Sequence, residues 1–150
     1  MISGRLVHLI EQHGDKIIAN TVARIERDPE MDQVRIMFGS ELRAWGLSLL
    51  EHLGQWLTAT SQENLEHRYE RIGRVLYDEG APLDQCLRAL FLVREKVVDY
   101  VEEQGLTKDA VELYDEVELE RRLCRFFDFL AVHMARGFER AAERPTHAAA

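Results

Sequence analysis

Three prolines and nine glycines in 150 residues leave few points where a helix must stop, and no stretch alternates apolar and polar residues as a half-buried strand would. No apolar run approaches the roughly 20 residues that cross a bilayer. The opening Met1-Ile2-Ser3-Gly4-Arg5 soon meets Glu11 and His13, which is not the pattern of a secretory signal. The two cysteines, Cys86 and Cys124, form no Cys-x-x-Cys and offer no disulfide framework. Each has apolar neighbours, so both are expected to be buried free thiols in a reducing cytoplasm. Basic residues are in deficit, 19 Lys and Arg against 27 Asp and Glu, for a net charge of −8. An acidic field repels phosphates, so neither nucleic acid nor an anionic membrane surface is an expected partner.

What is present is helical periodicity. A hydrophobic share of 46% beside a charged share of 31% fits one soluble domain with its own core. Residues 1–144 are read as that domain and 145–150 as a disordered tail. Leu6, Leu9 and Ile10 share one side of a first helix. Gly14 interrupts it, and Asp15 is read as capping a renewed helix with Ile17, Ile18, Val22 and Ile25 inward, the two forming either separate helices or one kinked helix. Asp28-Pro29 reads as an N-cap followed by a first-turn proline, with a short helix ending at Gly39.

Ser40 is read as the cap of a helix to about Ala59, with Leu42, Trp45, Leu49, Leu53 and Trp56 as its stripe. Ser61 opens the next, with Leu65, Tyr69, Ile72 and Leu76 inward and Gly80 as its positive-φ terminator. After Ala81-Pro82-Leu83, a helix over 84–104 carries a wide apolar face and is expected to be the most buried element. Thr107 is read as the cap of a last helix reaching Arg144, acidic in its first half and aromatic in its second. The expectation is an all-α fold of five or six helices, globin-like or a helical bundle.

Chemistry is hard to find. The residue three before each histidine is never acidic, and His-x-x-x-His, His-x-x-x-Glu and His-x-x-x-Asp are all absent. No single helix therefore presents a bundle-type metal pair, and no metal is expected. Covalent haem lacks its Cys-x-x-Cys-His. Non-covalent haem b needs one histidine in an apolar pocket. His133, in line with Phe126, Leu130 and Gly137, is the first candidate, and His13, in line with Leu9 and Ile17, is the second. Otherwise each is a core-edge histidine bonded to a neighbour. No nucleophile elbow, P-loop or Gly-x-Gly-x-x-Gly occurs, so no catalytic residue is nominated and no enzyme is expected.

The acidic run from Asp99 to Glu120 is read as a solvated face, and so is the basic row His67, Arg71 and Arg74 with Glu63 and Glu70 as partners. Arg94 stands out, because it lies in line with Leu87, Leu90, Phe91, Val98 and Val101. A buried guanidinium needs a counter-charge. It is read either as paired with a partly buried Asp128, linking the last two helices, or as reaching to the rim with only its stem covered.

Several segments together carry a family resemblance. Leu9-Ile10-Glu11-Gln12-His13 opens the domain, and Arg24-Ile25-Glu26-Arg27-Asp28-Pro29 closes the first long helix. Glu41-Leu42-Arg43 leads into Leu49-Leu50-Glu51-His52-Leu53. Gly80-Ala81-Pro82-Leu83 precedes Arg88-Ala89-Leu90-Phe91-Leu92-Val93-Arg94. In this order the chain resembles the N-terminal helical domain of RsbT co-antagonist (RsbRD-type) proteins, also found ahead of bacterial histidine kinases.

The resemblance implies a sensory or scaffolding role, similar to that of non-haem, globin-like sensors, and the N-terminus, cysteines and apolar runs make a cytoplasmic protein the expectation. Such a domain dimerises and signals to a downstream protein or output domain. Because no output domain follows Ala150 here, the chain is expected to be a sensor module or a relative acting by association. The family supplies no catalytic residue, and Pro82, Arg88, Arg94 and Asp128 are the structural or signalling candidates.

Overall fold

The computed structural model describes residues 4–57, 62–104 and 109–145, and among these the chain is helical throughout, with no strand. The order is α1 (Gly4–Gln12), α2 (Gly14–Glu26), a 3-10 turn (Pro29–Met31), α3 (Asp32–Phe38), α4 (Leu42–Glu51), α5 (Leu53–Trp56), α6 (Gln62–Asp78), α7 (Leu83–Glu103) and α8 (Ala110–Glu143). Eight α-helices among the described residues replace the five or six expected; the interruption expected at Gly14 separates two full helices, and a further break at His52 is one the sequence did not suggest.

The first break is at His13, between α1 and α2, where the backbone leaves helical geometry at φ −112°, ψ 23°. Asp15 lies inside the first turn of α2 instead of capping it. The second break, at His52, divides the expected 40–59 helix into α4 and α5. It turns the start of α5 toward α1, so that the Gly54 N–H donates to the Glu11 carboxylate at 3.5 Å. A helix start leaves such donors without internal partners, and here a side chain from another helix receives one. Ser40 caps nothing, since α4 begins at Leu42 after an Glu41 that makes no side-chain cap bond.

Other turns follow the sequence closely. Asp28 accepts the Glu30 N–H at 2.9 Å, with Pro29 opening the 3-10 turn. At the end of α6, Gly80 takes φ 75°. Ala81 N–H bonds Leu76 C=O at 2.9 Å and Gly80 N–H bonds Tyr77 C=O at 3.0 Å, the double closure of a Schellman motif. Pro82 then launches α7 from extended backbone. At the start of α8 the cap is Asp109, which accepts the Glu112 N–H at 2.8 Å. The expected caps Ser61 and Thr107, the helix end at Gly105 and the tail 146–150 lie outside the described residues.

Helix α7 packs against α1, α2, α3, the 3-10 turn and α8, which makes it the hub. It buries Leu90, Val93, Val97 and Val101 completely or nearly so. Its expected wide face is only partly covered: Leu87, Phe91 and Val98 remain half-buried on one flank. The most extensive contact of all joins α6 and α8. There Phe127, Leu130 and Met134 of α8 are buried, and Phe138 meets Tyr77 edge-on with ring centres 5.3 Å apart.

The α6–α8 crossing depends on glycine. A Cβ on Gly73 would lie 2.0 Å from the Met134 carbonyl oxygen, and one on Gly137 would lie 1.9 Å from that of Glu70. Both obstacles are backbone, which cannot swing aside as a side chain does. Gly73→Ala is therefore expected to cost about 3 kcal/mol, the upper range for overpacking, whereas Val132→Ala on the exposed side should change stability by no more than about 0.5 kcal/mol. Urea unfolding of both variants checks this, and a Gly73→Ala cost equal to that of Val132→Ala would contradict the close crossing.

Candidate functional site

The glycine crossing brings together polar side chains that the sequence separates. Glu66 and Glu70, four apart on α6, share one face, and His133 meets them from α8. One donor atom from each of the three lies within 4.8 Å of the others. His133 is 7% exposed, and its ring packs against Phe129 with centres 4.4 Å apart. Its Nδ1 is sealed from solvent and makes no hydrogen bond. The Glu70 Oε2 is 3.3 Å away, within ionic reach but outside hydrogen-bond alignment. The other oxygen, Oε1, accepts from Arg140 at 2.5 Å. Glu70 thus turns to α8 instead of serving the basic row on its own helix.

That basic row is also more than a solvated face. His67, Arg71 and Arg74 line a groove of about 430 Å³ together with Glu70, Gly137, Arg140 and Arg144. Arg144 in turn reaches Asp78 at 2.5 Å, a second ionic tie between α8 and α6.

A second constellation ties α2 to α7. Asp28, 4% exposed, receives Arg88 through Nε at 3.0 Å and through the terminal nitrogen at 2.9 Å. Arg24 approaches the same carboxylate at 3.3 Å. Arg88 therefore has a defined structural role. It joins the two segments, Arg24–Pro29 and Arg88–Arg94, whose motifs stood out in the sequence.

Arg94 combines both readings offered for it. Its guanidinium lies 4.7 Å from the centre of the Phe91 ring and 3.4 Å from Asp128. Asp128, however, is 66% exposed, not partly buried. Arg94 shares the half-covered flank of α7 with Leu87, Phe91 and Val98, which is why its pair forms at the rim.

Of the haem candidates, His13 is exposed and tilted against Tyr100 with ring centres 5.5 Å apart, while His133 faces Glu70. An apolar cavity of about 310 Å³ opens among Val34, Phe38, Trp45, Ile72, Leu76 and Met134, and no histidine lines it. Trp45, on this wall, donates its indole N–H to the buried Tyr69 phenol, whose pKa burial pushes up to about 12. Cys86 also lines this cavity, and burial raises its thiol to about 11. Cys124 is exposed, contrary to expectation, because it points away from the Leu119–Leu123–Phe127 stripe. The acidic run is not wholly spread out either. Oxygens of Glu102, Glu116 and Glu120 lie within 4.8 Å of one another where α7 passes α8.

Residues 15–150 match the family described as the RsbT co-antagonist protein rsbRD N-terminal domain. The chain belongs to the RsbRD N-terminal family. This is a family of regulatory domains, and its membership suggests a part in stress signalling. No curated protein and no solved structure matches the chain. The match takes in every quoted segment of the RsbRD N-terminal pattern except Leu9–His13, which precedes it. Among the described residues, no helix is long and apolar enough to cross a membrane.

Within this RsbRD N-terminal domain the Asp28 carboxyl is held below its ordinary pKa. The Glu30 N–H contributes most. Burial opposes it, and Arg88, by hydrogen bond and charge, and Arg24, by charge, add to the lowering. A depressed folded-state pKa stabilises the fold fully above the unfolded value, about 3.9 for Asp, and that stability fades as pH falls through the folded value. Asp28→Asn should therefore lower the Tm at pH 7, and the gap to the native chain should narrow below about pH 4. A Tm gap that stays constant from pH 7 to pH 3 would show that the carboxylate charge is not what matters.

Proposed function

We propose that this RsbRD N-terminal domain is a non-catalytic cytoplasmic sensory domain that dimerises and signals through protein–protein contacts to a downstream signalling protein or output domain. The observation that carries this reading is on the first half of α8. Val111, Leu113, Tyr114 and Val117 are all more than half exposed there, in a segment otherwise acidic. Leu113 and Val117 are one turn apart, with Tyr114 beside them, on the side away from the buried Glu116 and Leu119. Phe127 and Met134, by contrast, are spent inside the fold.

A second copy of this chain fits the stripe by charge. Glu112, Asp115 and Glu118 flank it, and the exposed Arg121, Arg122 and Arg125 follow one to two turns later. An antiparallel pairing of two α8 helices sets each acidic half beside the partner's arginines, as a self-complementary two-fold contact requires.

Sedimentation equilibrium tests this directly. The native chain should be a dimer, and Tyr114→Arg should weaken dimerisation at least tenfold while leaving the helical circular dichroism unchanged. A native chain that stays monomeric at high micromolar concentration would remove the proposal.

The apolar cavity favours a second reading, in which a small apolar molecule is the signal. Trp45 on the cavity wall would report it. Saturable quenching of tryptophan fluorescence by an apolar probe, lost in Ile72→Arg, is the expected outcome. Quenching that persists in Ile72→Arg would place the probe elsewhere and remove this reading.

A further inference from the structure

We propose that Glu66, Glu70 and His133 form a binding site for one divalent transition-metal ion of the zinc type, joining α6 to α8. Each donor is of the right class. Zinc and its neighbours take imidazole nitrogen and carboxylate oxygen, and a site of three protein ligands keeps a fourth position for water or an incoming group. Calcium and magnesium would instead want an all-oxygen shell of six or more ligands.

The geometry adds what a cluster of carboxylates alone would lack. His133 Nδ1 is buried without a hydrogen bond, 3.3 Å from Glu70 Oε2 and out of line with it. A buried nitrogen in that condition is costly, and native structures rarely leave one so. A metal ion between the two groups removes the cost. The separation is suitable as well. Two donors bound at about 2.0–2.1 Å to a tetrahedral ion stand about 3.3 Å from each other, and Nδ1 and Oε2 are 3.3 Å apart.

The surroundings position the donors. Arg140 holds the far oxygen of Glu70, the kind of outer partner that orients a ligating carboxylate. Phe129 braces the imidazole plane. Two carboxylates balance the charge of a divalent ion, which offsets the nearby guanidinium. The i, i+3 and i, i+4 spacings that test a single helix cannot register this site, because the histidine comes from a second helix.

Such an ion would clasp the two helices at their closest approach, and it would bind the folded chain in preference to the unfolded one. The site is separate from the proposed dimer stripe, which lies in the first half of α8, whereas His133 lies in the second.

The test is a titration of the chelator-stripped protein with Zn²⁺ by calorimetry and with Co²⁺ by visible absorption, alongside histidine ¹⁵N spectra. Expected are one ion per chain, Co²⁺ bands of four-coordinate intensity, and a Zn²⁺-dependent shift of the His133 Nδ1 resonance. Glu66→Gln, a change at a half-buried position that leaves the crossing intact, should weaken binding at least tenfold, and His133→Gln should abolish it. Absence of saturable binding up to millimolar Zn²⁺ would overturn the proposal. Binding with an unmoved His133 resonance and no loss in Glu66→Gln would overturn it equally, placing the ion at another cluster such as Glu102–Glu116–Glu120.

Discussion

Two glycines let α6 and α8 approach until backbone meets backbone, and much of what is distinctive here follows from that contact. At Gly73 and Gly137 any side chain would collide with the opposite helix's carbonyl oxygens. With the helices that close, residues one turn to either side must face each other across a short gap. Glu70 and His133 do so, as do Glu70 and Arg140, and two turns beyond Gly137 Arg144 reaches Asp78. Apolar residues of the same faces, Tyr69 and Met134 among them, close over the core. The polar cluster is therefore a consequence of packing geometry. Neither helix's sequence contains it.

A second constraint operates on the other side of the hub helix. Asp28, just past the end of α2, caps the 3-10 turn and receives Arg88 from α7. One carboxylate thus serves as a cap and as an anchor, and its depressed pKa reflects both roles. Burial alone would push the group the other way. The Asp28 network ties α2 to α7 and the glycine crossing ties α6 to α8, while the first half of α8 keeps apolar side chains facing outward.

Local signals were legible in the sequence. Asp28-Pro29 and Gly80-Ala81-Pro82 each encode a turn in a few adjacent residues, and the chain adopts both. Amphipathic stripes gave the long helices α6, α7 and α8 and their inward faces. The break between α1 and α2 was marked by Gly14, whereas the one at His52 was not, since histidine does not forbid a helix; there a tertiary partner, Glu11, receives the Gly54 N–H. Non-local consequences could not be read at all. Gly73 sits inside a well-formed helical pattern, and its role exists only opposite Gly137. Asp128 lies among aromatic residues in sequence, yet it points outward because its position on the α8 wheel is opposite Leu123 and Phe127. Glu70 looked like a partner for its own helix's arginines, but the crossing offered it a closer guanidinium on α8.

Proton NMR offers the most direct test of the central claim, that α6 and α8 touch backbone to backbone at the two glycines. Nuclear Overhauser contacts between the Gly73 α-protons and the Phe138 amide proton, and between the Gly137 α-protons and the Glu70 α-proton, are predicted to be strong. If both pairs are absent while the α6 and α8 amides are assigned and helical, the helices do not cross there, and the polar cluster built on that crossing does not form.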